Sequence, residues 1–82
     1  MTAQEILMAL SGNWAMYLNY NEKYWNADSA EEEERWEKAQ SPHWRRICEL
    51  EQMLREGQFS KSDRTAAQKL HEEAMETRKR WA

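Results

Sequence analysis

The chain has 82 residues, 40% hydrophobic and 33% charged, with a formal charge of −3 and a mean hydropathy of −1.14. That length supports a single domain, 1–82, with a modest core that dimerisation or a partner would naturally supplement. The hydropathy excludes a membrane-embedded protein, and the acidic balance is not that of a general nucleic-acid binder, which is basic overall.

Valine is absent, and the only β-branched residues are Ile6, Ile47, Thr2, Thr65 and Thr77. Strands favour β-branched residues, whereas Ala, Glu, Gln, Lys, Arg, Leu and Met, which dominate here, favour helices. The fold class expected is all-α: a small compact bundle of three long helices plus one short helix.

The first helix starts near Ala3, because Thr2-Ala-Gln-Glu5 is a capping box. Its apolar stripe is Ile6, Leu7, Leu10, Trp14, Tyr17, Leu18, Tyr24 and Trp25. Ser11-Gly12-Asn13 weakens its middle and marks a point of kinking or splitting. Asn26 to Ser29 reads as a turn. Ser29 with Glu32, or Asp28 with Glu31, starts a short second helix running to about Gln40, thin in apolar residues. Ser41-Pro42 restarts the chain, with Ser as N-cap and Pro at the first helical position. The third helix then runs to about Glu56 on the stripe His43, Ile47, Leu50 and Leu54. Gly57 is read as its C′ residue, with Phe59 folding back on the last turn. Ser60 or Ser62 caps the last helix, whose stripe is Ala66, Ala67, Leu70, Ala74, Thr77 and Trp81. The core is expected from Leu10, Trp14, Ile47, Leu50, Leu54 and Leu70.

Catalytic and metal constellations are missing. His43 and Cys48 are five apart, which does not put them on one helical face. His71 is followed by Glu72-Glu73-Ala74-Met75, not a zinc-binding HExxH, and Gln68 stands where a di-iron helix needs Glu. Neither glycine belongs to a phosphate-binding loop. The expectation is therefore no enzyme, no cofactor, no metal and no small-molecule substrate. Cys48 reads as a small packed residue. As the only cysteine it forms no internal disulfide, which with no signal-peptide pattern points to the cytoplasm.

Two charge runs have a plain reading beside a functional one. Glu31–Glu34 lies in the first turns of the second helix and Arg78-Lys79-Arg80 at the end of the last, where the helix dipole favours each sign. Glu31, Glu33 and Glu34 are nonetheless candidates for an acidic docking patch.

The strongest signal is that no charge occurs from Ile6 to Asn21. Opposite the Trp14 stripe lie Met8, Ala9, Gly12, Ala15, Met16, Asn19 and Tyr20. A helix neutral on every side is buried on more than one side, so this one is either central or meets another chain. Met and Tyr suit contact surfaces, and Gly and Ala allow close approach. Met8, Met16, Asn19 and Tyr20 are therefore the candidate partner-binding residues. The function expected is a non-enzymatic protein-protein interaction module. It self-associates as a homodimer through the first helix or docks as a small inhibitor on a larger protein partner. In size and composition, though in no motif, the chain resembles the small proteins by which phages and mobile elements disable host systems, anti-CRISPR proteins among them. The alternative is a small nucleic-acid-binding regulator with a helix-turn-helix-like pair joined at Gln40-Ser-Pro42. Trp44, Arg45 and Arg46 would then begin its recognition helix.

Overall fold

A computed structural model describes residues 1–80. It contains three helices, α1 (Ala3–Trp25), α2 (Ala30–Glu56) and α3 (Lys61–Lys79), and no strand among the described residues. The fold is all-α. Trp81 lies outside the described residues.

Each helix starts where its cap dictates. Thr2 Oγ1 accepts the Glu5 N–H at 3.2 Å and Glu5 Oε1 accepts the Thr2 N–H at 2.9 Å, closing the capping box. That N–H is the main reason the Glu5 carboxyl sits below its ordinary value. Ser29 accepts from Glu32 N–H at 3.2 Å, and Ser60, not Ser62, accepts from Asp63 N–H at 3.1 Å. The Ser11-Gly12-Asn13 segment neither ends nor splits α1.

The short helix expected over 29–40 does not exist as a separate element. It is the first half of α2, which runs unbroken through Pro42. Pro42 removes the N–H that would bond the Lys38 carbonyl, at a cost of about 3 kcal/mol in an ordinary helix interior. Two features offset this. Pro42 is exposed, on the solvent side, where a helix tolerates a bend. The inward positions Trp36, Gln40, His43, Ile47, Leu50 and Leu54 also keep a 4-3 spacing across it, so the packing face never changes phase. Tyr20 of α1 stacks on Trp36 and tilts against His43, both at 5.8 Å between centroids, holding α2 on either side of the proline. The Ser41 hydroxyl, expected as a cap, donates back to Glu37 O at 2.8 Å.

Gly57 ends α2, but without the left-handed conformation expected of it: its φ is −81°. Its smallness serves Phe59, which does fold back. A Cβ at Gly57 would overlap the Phe59 ring and sit 2.8 Å from Met53 O.

The core runs along one line of α1, with Ile6, Leu10, Trp14 and Tyr17 packed on Ile47, Leu50 and Leu54 of α2 and on Ala67 and Ala74 of α3. Leu70, expected in the core, is half-buried against it. Helix α1 meets both other helices, while α2 and α3 hardly touch. Helix α3 also ends early: the Arg78 guanidinium lies 5.9 Å from the centroid of Tyr17. Beyond that point α1 and α2 continue as a two-helix hairpin. The radius of gyration is accordingly 14.0 Å, with extents of 45 × 21 × 16 Å, against about 12 Å for a compact domain of this length. No described helix is long and apolar enough to cross a membrane.

Candidate interaction surface

The inner line of α1 fixes what its outer line presents. Leu10, Trp14, Tyr17 and Asn21 are buried. Trp14 meets Tyr17, Trp44 and His71 edge-on, at 5.8, 5.9 and 5.3 Å between centroids. Asn21 Nδ2 donates to Gln40 Oε1 at 3.1 Å, and Asn21 Oδ1 has no partner. A buried Asn on a helix seam costs stability and fixes register. Burial also pushes the Tyr17 hydroxyl above its ordinary value, against the opposing pull of Arg78.

Half a turn away, the same helix shows solvent an uncharged strip. Met8 is 68% and Met16 39% exposed, and both rank among the exposed large hydrophobics. Gly12 and Ala15 are exposed between them, and Asn19 is exposed just beyond Met16. Nothing lies within 4 Å of where a Cβ on Gly12 would stand. Helix α1 is thus central, yet its outer face is left open.

Of the four candidate residues on this helix, the structure brings Met8, Met16 and Asn19 onto one exposed face. Tyr20 is a correction: half-buried and stacked on Trp36, it belongs to the α1–α2 seam. At 100° per residue it stands about 80° from Gly12, so α2 reaches it. Ala9 likewise packs against the core.

The acidic run forms no common site with that strip. It lies towards the Trp25 end of the hairpin, since Trp36 meets Tyr20 and its ring lies 4.7 Å from Lys23 Nζ. Glu32 Oε2 accepts the Asp28 N–H at 3.3 Å and Glu34 pairs with Lys38 at 3.0 Å. Glu31 and Glu33 stand exposed in the first turn of α2, where the dipole already accounts for them. The helix-turn-helix pair drawn at Gln40-Ser-Pro42 is not formed, because α2 continues through it. Arg45 and Arg46 lie exposed at mid-helix, with Arg46 paired to Glu49 at 3.1 Å.

Two further expectations are revised. Trp25 is 48% exposed, at the end of a helix that α3 does not reach among the described residues. Cys48 is exposed, one residue past buried Ile47 and so turned about 100° from the packed line.

Two polar pairs escaped the sequence reading. His71 Nδ1 lies 2.8 Å from Glu51 Oε2, joining α3 to α2. The His43 ring nitrogen donates to Asn13 Oδ1 at 3.0 Å, while Asn13 Nδ2 donates to Ala9 O. These partners are 20 and 30 residues apart, too far for any local spacing to reveal. Both histidines are half-buried and spent on packing; His71 also borders a shallow cleft with Leu54, Arg55, Arg64 and Ala67. No group of three or more His, Cys, Asp or Glu among the described residues is placed to hold a metal ion.

No family model matches the chain, and no curated protein and no solved structure matches it.

Proposed function

We propose that this protein is a non-enzymatic protein–protein interaction module whose contact surface is the outer face of α1, built on Met8, Gly12, Ala15, Met16 and Asn19. The observation that carries the reading is the openness of that face. Two methionines stand exposed on the helix that is otherwise the most packed element of the fold, and the 16 positions from Ile6 to Asn21 carry no charge to keep that face in water. Flexible Met side chains beside Gly and Ala suit contact with another backbone. That both histidines are committed to structural partners speaks for binding over catalysis. Blocking a larger protein's working surface is a use that this strip would serve.

The test is Met16→Arg. Because Met16 is exposed, the substitution leaves the melting curve of the isolated chain within about 0.5 kcal/mol of the original. Within an interface it buries an unpaired charge and costs several kcal/mol of binding. The expected outcome is a folded chain that has lost self-association and any partner that the unaltered chain captures. Unchanged association and capture would sink the reading.

A further inference from the structure

Resting on the reading of α1's outer face as a contact surface, we infer that its occupant is α1 of a second copy, packed antiparallel about a two-fold axis through Gly12. At 100° per residue, positions 5, 8, 12, 16, 19 and 23 of α1 fall within about 40° of Gly12, diametrically away from buried Asn21. From Glu5 to Asn19 the spacing of that line is symmetric about Gly12. Met8 and Met16 stand four residues to either side, Glu5 and Asn19 seven. A two-fold interface requires self-complementarity, with each residue i facing residue 24−i of the other copy. Met8 then faces Met16 of the second copy, and the two glycines face each other on the axis.

Gly12 is the independent observation. It lies within an unbroken helix, has no positive φ, is exposed, and would meet nothing within 4 Å if it carried a Cβ. Glycine in a helix interior costs about 0.5–1 kcal/mol relative to alanine, and neither conformation nor packing in the single chain requires it. Close approach of a second backbone does. The methionines on either side then close over the contact, and Ala15 at the flank keeps it shallow.

Charge selects the direction. The line carries Glu5 near one end and Lys23 at the other. Parallel packing would set Glu5 against Glu5 of the second copy. Antiparallel packing sets it opposite Asn19 and about 6 Å along the axis from Lys23 of the second copy, whose ammonium within its own chain lies over the exposed side of the α1–α2 seam at Trp36. Only Glu5 Oε1 is committed to the capping box, so Oε2 is free for that pair. Antiparallel helix dipoles also attract.

Cysteine cross-linking in a Cys48→Ser background reads out both the partner and the direction. Under mild oxidation Gly12→Cys is expected to link to itself. Met8→Cys and Met16→Cys are expected to link to each other when mixed, and neither to itself, since like positions lie about 12 Å apart along the axis. Sedimentation should show self-association weakened at least tenfold by Gly12→Leu, whose side chain enters open space in the isolated chain and leaves its helical spectrum intact. Met8–Met8 and Met16–Met16 links in place of the mixed link would overturn the antiparallel pairing. A chain monomeric at every concentration would overturn the second copy as occupant. In that case the broader reading still stands if Met16→Arg abolishes capture of a different protein, and falls with it if Met16→Arg changes nothing.

Discussion

The two faces of α1 share one sequence stretch, one helix and the same lack of charge, yet end in opposite environments. Leu10 and Trp14 are enclosed by α2 and α3, while Met8 and Met16, two positions away from each, face solvent. Hydrophobicity alone does not separate them. Position does: the inner line keeps large side chains at every turn, so two helices converge on it. The outer line is interrupted by Gly12 and Ala15 and offers less apolar area to bury. A neutral helix can therefore be central and still keep an open face.

The largest effect that tests this contrast is a pair of truncations on α1. Leu10→Ala is expected to cost about 2–5 kcal/mol, lowering the melting temperature by roughly 8 °C or more, whereas Met8→Ala in dilute solution stays within about 0.5 kcal/mol. Equal losses in thermal melts would end the distinction between the faces. Next, Pro42→Ala restores a backbone hydrogen bond on the solvent side of α2 and is expected to stabilise by about 2 kcal/mol. That is the helix-interior penalty of proline less the unfolded-state rigidity it supplies. Destabilisation in urea titrations would mean that the chain needs a break there.

A pH measurement sharpens the inner face. Because burial raises the folded value of Tyr17, the unfolded chain loses that proton first. The contribution is whole below the unfolded value near 10 and is lost as pH rises above it. Tyr17→Phe should flatten the alkaline decline in stability; an identical decline would show that Tyr17 ionises as freely folded as unfolded. The smallest effect concerns the acidic run. Reversing Glu31 and Glu33 to Lys is expected to cost about 0.3–1 kcal/mol each through the dipole, and less in high salt. A loss of partner binding larger than this would restore the run as a docking patch.

Much of the fold was legible in the sequence. Thr2, Ser29 and Ser60 cap their helices through bonds three residues along the chain, and the lines Leu10–Trp14–Tyr17 and Ile47–Leu50–Leu54 follow from helical periodicity, which is likewise local. That Met8, Met16 and Asn19 share one exposed face was legible for the same reason. Tertiary structure decided the rest. Helix α2 continues through Pro42 while Tyr20 of another helix packs on Trp36 and His43 to either side of it, a contact that no local spacing reveals. The same contact takes Tyr20 off the outer face. The exposure of Trp25 follows from where α3 ends, and the pairing of His71 with Glu51 from how it crosses α2. A cap is satisfied by its neighbours along the chain. A proline carried through a helix, or an aromatic ring assigned to one face over another, is settled by packing energy from residues remote in sequence.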